Sequence, residues 1–218
     1  MKFLITLIIL FLFGYGINKA LSKDNNKENS VKPKLVDSVQ ERVNLLSVEK
    51  AKQRILELGL PNFYIDVLNK KKVHKSLEYY CQFPNWLYSD KNFVQGFSNI
   101  LGNYGEVVPL CEEGDITALI AVVVKENTIK FIHMIYESPE SYQVYNNRQA
   151  LLVDLFVRLW EMSDGEKDSD LKHLHEVAKE IDFKHVDELN ELLWSNNNGD
   201  YKKRDSAIEG FKQKLDKK

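Results

Sequence analysis

The apolar positions of this chain fall into blocks with different periods, and each period predicts an element. From Phe3 to Ile17 the residues are almost continuously apolar, whereas Leu21 to Pro33 is Ser, Lys, Asp, Asn and Glu with almost nothing to bury. The first block is a targeting segment and the second a flexible linker. A helical stripe follows. Ser38 and Glu41 have capping-box spacing, in which hydroxyl and carboxylate each satisfy a backbone N–H, and Val39, Val43 and Leu46 continue on one face. Ser47 interrupts or re-caps this helix. Ala51, Ile55 and Leu58 form a second stripe before Gly59 and Pro61 stop it.

Residues 62 to 104 are dense in aromatics, among them Tyr79, Tyr80, Phe83, Trp86 and Tyr88. Such rings mostly fill a core, although the polar handle of Tyr and Trp also suits an interface. Pro84 fixes its own φ and pushes Phe83 out of the helical region, which predicts a turn at 83–86. Trp86 and Tyr88, beside that turn, are the two aromatics placed at the surface.

The strand pattern begins after Gly105. Val107 and Val108 lead into Pro109, which belongs on an edge strand or at a strand end. Glu112, Glu113, Gly114 and Asp115 then make an acidic turn. Ala118 to Val124 is an unbroken apolar run rich in valine, the pattern of a central strand buried on both faces. Residues 125–128 reverse the chain, and Ile129 to Tyr136 forms the partner strand, with Phe131, His133 and Ile135 on one face and Ile132, Met134 and Tyr136 on the other. Residues 137–140 end it, and Tyr142 and Tyr145 fall in the following loop.

Asn146 or Asn147 caps a helix from Arg148 to Met162 that is apolar on most sides and therefore packs into a core. Its polar strip carries Asp154 and Arg158, which read most simply as a surface i,i+4 pair. Beyond residue 163 the composition shifts to charged helices with modest stripes: Leu171, Leu174, Val177 and Ile181; Val186, Leu189, Leu192 and Leu193; Ile208, Phe211 and Leu215. These predict an appended helical tail. The resulting organisation is 1–20 signal or membrane-anchor segment, 21–35 linker, 36–162 α+β domain and 163–218 carboxy-terminal helical extension.

Composition narrows the function by exclusion. The 30 basic and 32 acidic residues leave a formal charge of -2, so no global field draws nucleic acid to the chain. Cys81 and Cys111 are far apart and in no zinc-ligand spacing. They read as buried free thiols, with one disulfide as the alternative for an exported domain. His173 and His175 lie two apart on a helix and point in opposed directions, so they do not share a metal, and no cofactor is expected. His133, mid-strand, reads as a hydrogen-bonded core residue. Dinucleotide, P-loop and nucleophile-elbow motifs are absent, which predicts a non-enzyme without a small-molecule substrate. The acidic turn has an ordinary reading as solvated backbone geometry and a functional one, in which Glu112, Glu113 and Asp115, with Trp86 and Tyr88 nearby, dock a basic protein partner.

Several segments together carry a resemblance: Leu60 to Tyr64, Val108 to Asp115, the hairpin from Leu119 to Tyr136, and Tyr145 with Arg148 to Leu152. Over about residues 60–162 the chain resembles the SUKH superfamily, the Smi1/Knr4-like domains, many of which are bacterial immunity proteins that bind and neutralise a cognate toxin. The resemblance implies a twisted, mainly antiparallel sheet with helices packed mainly on one side, a protein toxin as partner, and no catalytic residues. The apolar leader and the three carboxy-terminal helices have no clear counterpart in that family. The alternative from another class is an exported or membrane-anchored envelope protein with a structural or ligand-binding role.

The leader itself leaves two topologies. Residues 3–17 as a helix span about 22 Å against a hydrocarbon core of about 30 Å, short for a spanning helix but within reach of snorkelling Lys19 and Lys23. A cleavable signal peptide is the rival, though Ala20 lacks a small residue two places before it. An uncleaved anchor is favoured. Lys19, Lys23 and Lys27 after the run outnumber Lys2 before it, so the positive-inside rule puts the domain on the cytoplasmic side, with a periplasmic or secreted domain as the alternative.

Overall fold

The computed structural model describes residues 42–217 apart from 90, 115–118, 126–127, 164–166 and 198. The chain divides into two units, Met1–Ser38 and Val39–Lys218. The leader, the linker, the Ser38–Glu41 capping box and Asp115 therefore lie outside the described residues. Among the described residues no helix is long and apolar enough to cross a membrane.

The second unit is α+β. Four strands, β1 (Glu106–Glu112), β2 (Leu119–Lys125), β3 (Thr128–Ile135) and β4 (Ser138–Tyr145), form one antiparallel meander in the order β1-β2-β3-β4. The unbroken apolar run is central, as its pattern predicts: Ala121 to Val124 are all buried. Pro109 sits on the edge strand β1, where no ladder hydrogen bond is asked of it, beside a bulge between Pro109 and Cys111.

The helices are α1 (Val48–Glu57), α2 (Asn62–Leu68), α3 (Asn85–Ser89), α4 (Lys91–Gly96), α5 (Ser98–Leu101), α6 (Arg148–Glu161), α7 (Lys167–Ile181), α8 (Val186–Ser195) and α9 (Tyr201–Asp216), with a 3-10 turn at Lys75–Leu77. They cover both faces of the sheet. On one face Val108, Val122, Val124 and Phe131 share a core with α1, α2 and α6 to α9. On the other, Val107, Ala121, Val123, Ile132 and Met134 pack with Leu87 of α3, Val94 of α4 and Leu101 of α5. Two-sided cover explains why β2 reads as continuously apolar instead of alternating.

Four expectations are corrected. Residues 42–47 are not helical: Leu45 bridges Val107 in parallel, Leu46 N–H donates to the Val107 carbonyl at 3.0 Å and Val107 N–H to the Asn44 carbonyl at 2.9 Å. The helix instead begins after Ser47, its N-cap by backbone position. Gly59, at φ +64, closes α1 in the left-handed region that glycine enters without strain. Second, the turn expected at 83–86 gives way at once to α3, which starts immediately after Pro84.

Third, Tyr142 and Tyr145 are not in a loop but in β4, which pairs Tyr145 with Phe131, Val144 with Ile132 and Gln143 with His133. An edge strand is bound through its backbone, so it tolerates Pro139 and need not alternate. Fourth, the carboxy-terminal helices are not an appended tail. Leu174, Val177, Ile181, Leu189, Leu193, Phe211 and Leu215 belong to the same core as α6. Phe156 stacks on Phe183 at 4.3 Å between centroids, and Trp160 meets Trp194 edge-on at 5.6 Å. Arg148, itself buried, donates to the Ile181 and Asp182 carbonyls at 2.7 and 3.0 Å, satisfying the end of α7. A helix apolar on most sides needs cover on the side that the sheet leaves open. At its head the Asn147 side chain accepts from the Gln149 N–H at 2.9 Å, the cap its sequence predicts.

Candidate functional site

Glu112 and Glu113 are neighbours on extended backbone, so their side chains leave toward opposite faces of the sheet. That geometry decides their environments. Neither faces solvent as a docking patch would: Glu112 is 3% and Glu113 4% exposed. On the α3 side, Glu112 accepts a hydrogen bond from the Trp86 N–H at 3.2 Å and lies beside the Tyr136 hydroxyl. Burial pushes the Glu112 carboxyl above its ordinary range, against these donors, which favour the charged form.

On the α6 side, Glu113 receives both arms of the Arg158 guanidinium, at 3.0 and 2.5 Å. The fork geometry makes this a charge-assisted pair. Arg158 also stands over the Tyr80 ring, 4.8 Å from its centroid, and the Tyr80 hydroxyl donates to the Met162 sulfur at 2.9 Å. Asp154 therefore does not pair with Arg158. It meets Lys212 of α9 at 3.2 Å, because α9 covers that strip of α6.

His133 reaches the same cluster from β3, its Nε2 3.8 Å from Glu113 Oε1, a distance too long for a hydrogen bond. Burial lowers its pKa, with Glu113 pulling the other way, which favours the neutral ring. The cluster ties β1, β3 and α6 together.

The segment from Tyr79 to Gln82 laces onto the end of β1. Gln82 and Glu112 exchange backbone hydrogen bonds at 2.8 and 3.0 Å, and Gly114 N–H donates to the Tyr79 carbonyl at 2.7 Å. A Cβ on Gly114 would stand 2.9 Å from the Tyr79 ring, so this close approach needs glycine. Cys81 and Cys111 are free and buried there. The Cys81 thiol and burial hold Cys111 well above its ordinary range, which keeps it from being a ready thiolate.

Of the two aromatics placed at the surface, Trp86 is 41% exposed. Tyr88 is half-buried instead, its ring 5.6 Å from that of Phe83, and burial pushes its hydroxyl above the ordinary range. The structure brings Glu112 and Trp86 together, through side chain and backbone, and sends Glu113 elsewhere.

Tyr80 is also one wall of a cavity of about 390 Å³, completed by Ser76, Tyr79, Leu159, Met162 and His173 among others. Sequence reasoning missed it, because its walls come from the aromatic tract, α6 and α7, with no common spacing. His173 points to Ser76, whose Oγ is 3.0 Å from Nε2, while His175 turns to Asp187 at 2.9 Å. Compared with known proteins, the chain matches no family model, no curated protein and no solved structure.

Proposed function

We propose that the chain is a non-enzymatic, membrane-held immunity-type protein of the SUKH kind that binds and neutralises a cognate protein toxin. The observation that carries this reading is Trp86. It presents a large aromatic at the surface on α3, and its backbone N–H is anchored on the buried carboxylate of Glu112. A rigidly mounted, half-exposed tryptophan is the type of residue that dominates binding energy at protein interfaces. The element order supports the resemblance too: a helix opened by Leu60 and Pro61, a four-strand meander, and a helix opened after Tyr145. Glu112 serves the docking surface from beneath, as its mount, and not as the basic partner's contact, while Glu113 is engaged by Arg158 on the other face of the sheet.

The test starts from the gene neighbourhood, where a large polymorphic toxin gene immediately upstream is expected. Co-expression should rescue cells from that toxin. Trp86→Ala should weaken the complex at least about thirtyfold, the effect of a hot-spot residue, with the melting temperature unchanged. A neighbouring toxin that the intact chain neither binds nor neutralises would sink the reading. For the membrane side, an alkaline phosphatase fused after Lys218 should be inactive if the domain faces the cytoplasm. An active fusion would place it outside.

The second reading, a ligand-binding envelope protein, is favoured by the cavity beside Tyr80 and His173. Small-molecule sites are commonly concave and mostly apolar with a few polar groups, which describes this one.

A further inference from the structure

We infer that His74, His173 and Glu176 form a binding site for a divalent transition-metal ion, zinc by the character of its donors, which clamps the 74–77 turn onto α7. One ligand atom from each of the three residues lies within 4.8 Å of the others. His173 and Glu176 are three apart on α7 and so share a face of that helix, and Glu180, four further on, extends the same face. That face meets the turn: the His74 N–H donates to Glu180 Oε1 at 2.9 Å, and the two imidazole rings are 5.5 Å apart.

One ring is already oriented for the task and the other has to change its proton. His74 Nδ1 accepts from the Ser76 N–H at 3.3 Å as the cap of the 3-10 turn, so its Nε2 carries the ring proton, and His74 ligates only by giving up that long cap bond so that one nitrogen keeps the proton and the other binds the ion. Ser76 Oγ, 3.0 Å from His173 Nε2, supplies the outer hydrogen bond that fixes the tautomer of an imidazole whose other nitrogen binds an ion. A tetrahedral zinc with bonds near 2.0–2.1 Å needs donors about 3.4 Å apart. The present spacing exceeds this by up to about 1.4 Å, which rotamer changes cover, since Glu176 is exposed and both histidines only half-buried.

Two imidazoles and a carboxylate select zinc, copper or nickel over magnesium or calcium, which prefer oxygen donors. Three protein donors leave a fourth position for water or for a group brought by a bound molecule. Because Tyr79 to Gln82 follows directly and laces onto β1, the ion would join that lacing to the carboxy-terminal helices. The inference does not rest on the immunity reading.

The test uses the full-length chain, stripped with a chelator and titrated with zinc in competition with a chromophoric indicator, with melting curves recorded with and without zinc. One zinc per chain and a raised melting temperature are expected. His74→Gln, His173→Gln and Glu176→Gln should each weaken binding at least about a hundredfold, whereas His175→Gln, which faces Asp187, should bind as the unaltered chain does. If a histidine variant folds poorly without metal, the exposed Glu176 carries the comparison by itself. No zinc bound, binding undiminished in the His74→Gln/His173→Gln double variant, or displacement by excess magnesium would overturn the site.

Discussion

A chain ended after Met162 is expected to lose cooperative folding altogether. α6 buries residues on nearly every side, among them Leu152, Leu155, Phe156, Leu159 and Trp160. Part of that surface is covered by the sheet and part by α7, α8 and α9, which bring Leu174, Val177, Ile181, Phe183, Leu189, Leu193, Phe211 and Leu215 into the same core. Fully burying one such side chain stabilises by about 1.5–3 kcal/mol, and a domain of this size holds a net stability of about 5–15 kcal/mol. Losing eight of them, and exposing the α6 surface they cover, exceeds that margin. Circular dichroism and thermal melting of residues 1–162 against the full chain decide the matter: a cooperative transition at an unchanged midpoint would show the last three helices to be an appendage after all.

The next largest effect is expected at Arg158, and it should be asymmetric. Arg158→Met leaves the Glu113 carboxylate, 5% exposed, with its charge buried and its fork partner gone, which costs about 3–5 kcal/mol when a buried pair is broken from one side. Glu113→Gln should cost less, because the Arg158 side chain is 34% exposed and can turn its charge to water while keeping its stacking on Tyr80. The double variant should recover part of the loss, since it removes both charges together. Denaturant titration of the three variants measures this. Equal losses from the two single variants would mean that Glu113 is not held as a buried ion and that the pair is a surface contact.

Both effects arise at places where the sequence is silent about partners. The acidic character of Glu112 and Glu113 is plain in the sequence, and turns do collect such residues. Their burial depends on Arg158 and Trp86, which are 45 and 26 positions away. Local composition predicts solvent for a pair of carboxylates because burial without a partner is costly, and only the fold supplies the partner. His74 and His173 are a similar case: Glu176 follows His173 at helical spacing, but nothing local points to His74, and only the docking of the 74–77 turn on α7 brings it to them.

Where a segment's environment is set by its own apolar pattern, the sequence by itself determined the outcome. The valine run became the central strand, Pro109 went to an edge, Asn147 capped α6, and α6 entered the core on most sides. Periodicity and capping are local physics, written in residues a few positions apart. The tertiary structure alone decided β4, the extended segment at 42–47, the two-sided helical cover and the integration of α7 to α9. Edge pairing is made by backbone groups that every sequence carries, and a stripe of leucines says that a helix must be covered without saying by what. Those choices are settled only when the whole chain competes for the same buried surface.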